Sequence, residues 1–157
     1  MAYACDDIHY MRLAIQEAKN AALNNEVPVG AVVIDSHGDL IATGFNKTIS
    51  NNDPTAHAEI IALRKACTAK TNYRLPGASL YVTLEPCVMC IGAIMHARIS
   101  RVVYGAQDPK TGACESVLAI PSIKELNHQT RLHSGVMADQ CSELLRKFFA
   151  EKRGKFK

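Results

Sequence analysis

Apolar residues recur at helical spacing at Met11, Ala14, Ile15, Ala18, Ala21 and Ala22, which predicts a helix. Asp6 and Asp7 stand where they can cap its start, and it should stop near Asn24-Asn25. Val29 to Ile34 is a continuous apolar run rich in β-branched residues, the turn residues Ser36-His37-Gly38-Asp39 follow, and Leu40 to Phe45 returns. That pattern predicts an antiparallel hairpin buried on both faces. Asn46 to Asn52 is polar and loop-like. Asp53-Pro54 then reads as a helix start, aspartate capping and proline in the first turn, with the helix running to about Cys67.

Ser79 to Leu84 reads as a third strand and Cys87 to His96 as a helix. A fourth strand spans Ile99 to Tyr104, and Gly105 to Gly112 is a polar loop of the kind where ligand contacts concentrate. A short helix is expected after Pro121 and a fifth strand over Arg131 to Val136. A last, basic helix should cover about residues 139–157. Strands separated by helices imply a layered α/β domain with a mixed sheet, the hairpin being its antiparallel part. No internal repeat or linker interrupts the chain, so residues 1–157 are expected to form one domain.

Composition, 48% hydrophobic and 21% charged, is that of an ordinary globular protein. The first ten residues hold two aspartates and no apolar segment, which argues against a signal peptide, and no apolar run approaches the roughly 18 residues of a membrane span. Six cysteines without a secretory signal suggest a reducing cytoplasm, with Cys5, Cys67, Cys114 and Cys141 as free thiols. The net charge of +3 is unevenly spread: from Glu143 onward the chain carries +4, through Arg146, Lys147, Lys152, Arg153, Lys155 and Lys157 against two glutamates. A basic helical end is commonly just a solvated terminus, and it is also what a phosphate backbone attracts.

The chemistry concentrates in Leu80 to Cys90, where a β-prone run ends at Pro86 and two cysteines follow at i and i+3. On a helix starting near Pro86, Cys87 and Cys90 share a face and can grip one ion. His57 is the best third ligand, and a Cys/Cys/His set leaves one tetrahedral position open, as in catalytic zinc sites. Glu59 would handle protons. In a regular helix His57 and Glu59 point about 200° apart, so the reading requires His57 at the irregular helix entrance. If both ligand segments sit at helix N-termini, the positive dipole ends favour thiolates there. Two other readings stand beside this one: a dithiol redox pair, and a closed structural site with a fourth ligand. The histidine and glutamate weigh against the first, and the lack of another cysteine or histidine at ligand spacing against the second. Such a device suits hydrolytic deamination of a nucleobase: zinc activates a water toward an electron-poor ring carbon while Glu59 moves protons.

His57-Ala58-Glu59 with Pro86-Cys87-Val88-Met89-Cys90 is the signature of the zinc nucleobase deaminases. Around it, Val27 to Val32, Asp53 to Ile60, Asn72 to Leu75, Leu80 to Cys90 and Arg101 to Ala106 with Asp108 and Lys110-Thr111-Gly112 resemble the bacterial tRNA-specific adenosine deaminases of the cytidine/deoxycytidylate deaminase superfamily along nearly the whole chain. The resemblance implies a three-layer α/β/α cytidine-deaminase-like domain with a central five-stranded mixed sheet. It also implies a cytoplasmic homodimer with one zinc per subunit, converting the wobble adenosine of a tRNA anticodon to inosine. Carried over by position, His57, Cys87 and Cys90 are ligands and Glu59 the proton shuttle. Asn46, Asp108, Ala58, Val29, Phe149 and Arg153 would face the RNA, Asp108 accepting a ribose 2′-hydroxyl. Phe148 and Phe149 are adjacent and point about 100° apart on a helix, so one can pack while the other meets the anticodon loop; packing of both is the favoured reading. Asn51-Asn52, Pro109 and Cys114-Glu115 depart from the family pattern. Two further readings share the motif: a deaminase of a free base or nucleoside, and a catalytically silent RNA-binding module that keeps zinc for stability.

Overall fold

The computed structural model describes residues 5–155. Along them run α1 (Cys5–Leu23), β1 (Gly30–Ile34), β2 (Leu40–Phe45), α2 (Ala58–Lys70), β3 (Ser79–Leu84), α3 (Val88–His96), β4 (Arg101–Ala106), a 3-10 turn (Ile120–Ser122), β5 (Arg131–Ser134) and α4 (Ala138–Gly154). The strands form one sheet in the order β2-β1-β3-β4-β5. β1 is antiparallel to both β2 and β3, whereas β3, β4 and β5 run parallel.

The two-residue period of the strands sorts the core into two halves. Ala31, Val33, Leu80, Val82, Val102 and Tyr104 point to one face, where Ala58, Ala62 and Leu63 of α2 and Ile91 and Ile94 of α3 cover them. Val32, Ile34, Tyr81 and Val103 point to the other, against Met11, Ala14 and Ile15 of α1 and Cys141 of α4. The result is the expected α/β/α sandwich. α2 lies unusually close to the sheet: a Cβ on Gly44 would stand 2.7 Å from the backbone of Ala58 and of Ala62.

Several local expectations are corrected by tertiary context. β1 is buried along its whole length, but β2 is the sheet edge and alternates between buried and partly exposed residues, so the hairpin is not buried on both faces. Asp7 caps nothing. Its carboxylate, 3% exposed, receives Arg101 through both guanidinium NH groups at 2.8 Å and the Tyr81 hydroxyl at 2.8 Å, tying α1 to β3 and β4. Asp53-Pro54 does not start α2: the Asp53 carboxylate accepts the Thr55 N–H and hydroxyl in a tight turn, and the helix opens at Ala58 and continues to Lys70. β4 is set two residues later than expected, taking Gly105 and Ala106 into the sheet because they pair alongside β3. β5 ends at Ser134, two residues early, and the segment after Ser116 forms one 3-10 turn in place of a helix. On α4, Phe148 is half-buried but Phe149 is 44% exposed, so the two rings do not both pack inward. Lys157 and the Cys5 side chain lie outside the described residues.

Candidate metal centre and active site

Topology assembles the site at one end of the strands. β3 and β4 are parallel and in register to Leu84 and Ala106, so both segments leave the sheet at the same, C-terminal end, the usual location of sites in α/β proteins. β1 runs against β3 and therefore begins there, and β2 ends there, with Phe45 opposite Gly30. Val29, Asn46, Cys87 and Asp108 thus meet, although the sequence spreads them over eighty residues.

His57 is the N-cap residue of α2 (φ −73°, ψ 156°) and Cys87 that of α3 (φ −78°, ψ 176°), and neither side chain caps its own helix. The α2 terminus is instead satisfied from outside: the Asn46 side-chain oxygen accepts the Ala58 N–H at 2.8 Å. That frees the imidazole, and the extended backbone at position 57 removes the problem of a histidine and a glutamate two residues apart in a helix. His57 Nδ1 lies 3.6 Å from Cys87 Sγ and 3.5 Å from Cys90 Sγ. Tetrahedral zinc with Zn–S near 2.3 Å and Zn–N near 2.0 Å requires N···S separations of about 3.6 Å. The donor atoms of the three residues all fall within 4.8 Å of one another, the one such cluster among the described residues. The triad therefore fits zinc, with Nδ1 as the imidazole ligand atom.

The electrostatics agree with this donor set. A hydrogen bond from Cys90, joined by one from His57, holds the Cys87 thiol down to about 4 against the opposing effect of burial. Cys90 is pushed up by serving as the donor to Cys87 and by burial. A divalent cation takes both sulfurs as thiolates, so its binding would release protons from the pair. The hydrogen bond to Cys87 raises His57, with burial opposing, and burial raises Glu59, whose residue is 4% exposed.

A cavity of about 240 Å³ opens over the triad, lined by Val29, Asn46, Glu59 and Asp108 among others. It is smaller than the roughly 300–1,000 Å³ of drug-sized sites. A second cavity of about 390 Å³ adjoins it, sharing Val27, Leu84, Asp108 and Thr111 and adding Pro109, Lys110, Leu145 and Phe149. Ala58 is fully buried and spends its N–H on Asn46. The Asp108 carboxylate accepts the Lys110 and Thr111 N–H groups and the Thr111 hydroxyl, folding its own loop. Arg153 is exposed near the end of α4 and lines neither cavity.

Two buried glutamates went unread in the sequence. The Glu26 carboxylate, 1% exposed, accepts the N–H groups of Ile49 and Ser50 and so holds the loop after Asn46. Glu85 does the same for the loop around Asp108. Burial tends to raise the Glu85 carboxyl, but hydrogen bonds from Ser116 and from the Asp108, Ser116 and Glu115 backbone more than offset it and hold it below its ordinary value. The only sequence signal was an acidic residue abutting an apolar run, Glu26 before Val27 and Glu85 after Leu84.

A family model for the cytidine and deoxycytidylate deaminase zinc-binding region matches residues 5–106. The tRNA-specific adenosine deaminase of Agrobacterium fabrum is 51% identical over 145 residues, covering 92% of this chain and 95% of that protein. The Haemophilus influenzae protein of the same name is 48% identical over 147 residues, covering 94% and 85%. A solved structure from work on A-to-I editing by tRNA:A34 deaminases superposes with a TM-score of 0.84 at 50% identity, over 87% of this chain and 99% of that one. Triad, fold and relatives agree: the chain belongs to the cytidine and deoxycytidylate deaminase zinc-binding family, among the tRNA-specific adenosine deaminases.

Proposed function

We propose that this protein hydrolyses the wobble adenosine of a tRNA anticodon to inosine, the whole chain acting as one deaminase domain. The observation that carries the reading is the zinc-spaced triad with buried Glu59 beside it in a base-sized cavity, in a chain whose relatives are tRNA-specific adenosine deaminases. His57, Cys87 and Cys90 hold the metal. When bound, zinc supplies Lewis-acid activation of a water.

Glu59 accepts a proton from the attacking water, delivers it to the purine ring, and carries the second proton to the exocyclic amine. The water oxygen bonds to C6, the C6–N6 bond breaks, and ammonia leaves. With its oxygen committed to Ala58, Asn46 presents its NH2 group to the base. Val29 forms an apolar wall against the ring, and the base must leave its stack to reach the cavity. Asp108, at the junction of the two cavities, accepts a ribose hydroxyl, and Phe149 offers a surface to a neighbouring base. Arg153 and the other basic residues of α4 meet phosphates.

We further propose a cytoplasmic homodimer. Val88 at the start of α3 is 57% exposed, and beside the 3-10 turn Val117 is 52%, Leu118 49% and Ile123 44% exposed, apolar surface suited to a second copy. Among the described residues no helix is long and apolar enough to cross a membrane.

The test is incubation of the zinc-replete protein with a transcribed arginine tRNA carrying adenosine at the wobble position, beside a Glu59→Ala control, with inosine read by sequencing. Inosine at that position alone, absent in the control, is the expected result. A zinc-loaded, tRNA-binding protein that forms none, or that releases ammonia from free bases instead, overturns the reading.

A further inference from the structure

We propose that Glu85 is a positioning residue for the reaction, acting through the loop that carries Asp108. The proposal rests on the deaminase reading above. Glu85 is 2% exposed, and no lysine or arginine among the described residues pairs with it. Its charge is met by the loop alone. Oε1 accepts the N–H groups of Cys114 (3.2 Å), Glu115 (2.8 Å) and Ser116 (2.9 Å), whereas Oε2 accepts the Asp108 N–H (2.9 Å) and the Ser116 hydroxyl. A buried carboxylate that collects N–H groups from both ends of one loop fixes that loop as a unit.

The same loop is pressed against the metal-ligand segment. Gly112 bridges to Cys87, and Ala113 donates to the Pro86 carbonyl at 2.9 Å. A Cβ on Gly112 would overlap the Glu85 carboxylate and come within 2.6 Å of the Asp108 carbonyl. Glu85, immediately before Pro86-Cys87, therefore sets the distance between the metal ligands and Asp108, the two sides of the cavity. Misplacing one side by about 1 Å is enough to cost two orders of magnitude in rate.

The two oxygens differ in a way that makes the idea testable. In Glu85→Gln the amide carbonyl stays at the Oε1 position, because three N–H donors meet it there. The NH2 group then takes the Oε2 position, where the Ser116 hydroxyl can turn to accept, but the Asp108 N–H has nothing to donate to. E85Q thus cuts one anchor, that of Asp108.

The experiment measures zinc content, kcat and KM on an anticodon stem-loop RNA for the wild type, E85Q, Asp108→Ala and the double variant, all as full-length zinc-loaded protein. E85Q should keep one zinc per subunit and lose about tenfold or more in kcat/KM, with the same parameter, kcat or KM, moving as in D108A. The double variant should be no worse than the weaker of the two single variants. Wild-type activity in E85Q, losses that multiply in the double variant, or loss of zinc from E85Q would each overturn the proposal. A wild type that forms no inosine overturns the deaminase reading itself, and the positioning role with it.

Discussion

Replacing Asp7 by asparagine tests the anchor that holds α1 to the sheet. The substitution keeps the shape of the side chain but removes the charge that receives both NH groups of Arg101. The Asp7 side chain is 4% exposed and that of Arg101 19%, so water replaces little of the missing interaction. Breaking a buried pair from one side costs roughly 3–5 kcal/mol. Asparagine retains one acceptor for Arg101, which places the expected loss nearer 2–3 kcal/mol, or about 4–12 °C in Tm for a chain of this size.

The pH dependence supplies the sharper check. The Arg101 hydrogen bonds, helped by Tyr81 and opposed by burial, hold the Asp7 carboxyl below its ordinary value. A group whose folded pKa is depressed contributes its full stability above the unfolded value, near 3.9, and loses it as pH falls through the folded pKa. Urea unfolding of wild type and D7N should therefore differ by the full amount at pH 7, and the gap should narrow below about pH 4. A difference under ~1 kcal/mol at pH 7, or one that persists undiminished in acid, would refute the reasoning.

Gly44→Ala places a Cβ against the Ala58 and Ala62 backbone, so α2 must shift, with a cost of about 1–3 kcal/mol and weakened zinc retention, because His57 sits at the moved terminus. Zinc content after dialysis and the melting temperature read this, and unchanged values for both would show that the close approach relaxes freely. Neutralising Lys152 and Arg153 together should weaken tRNA binding and lower its salt slope by about 0.7–0.9 for each phosphate that the helix no longer neutralises. A slope equal to that of the wild type would remove α4 from the RNA interface.

Most of the secondary structure was legible along the chain because each element depends on local patterning. Val29 to Ile34 and Ser79 to Leu84 are apolar runs of strand length with β-branched or aromatic residues, and the spacing of Met11, Ala14, Ile15 and Ala18 needs only a helix to make one face. The metal triad was legible for a different reason. Cysteines at i and i+3 together with an upstream histidine and glutamate two residues apart form a chemical set that few alternatives use.

What the sequence left open depends on interactions between distant segments. The start of α2 could not be read, since Asp53-Pro54 is a good local start, yet Asp53 closes a turn on Thr55 and Asn46 caps the helix at Ala58. The partial exposure of β2 follows from its place at the sheet edge, which no residue in Leu40 to Phe45 announces. Asp7 reads as a cap until Arg101, ninety-four residues away, claims it. Glu85 and Glu26 read as ordinary acids, because a buried carboxylate is recognised by the N–H groups that surround it, and those belong to loops folded back by the rest of the chain. Local patterning sets most of the elements, and the donor types set the chemistry. The tertiary structure decided where Asn46, His57, Cys87 and Asp108 meet, because convergence is set by strand direction and register, and these are fixed only when the whole sheet has formed.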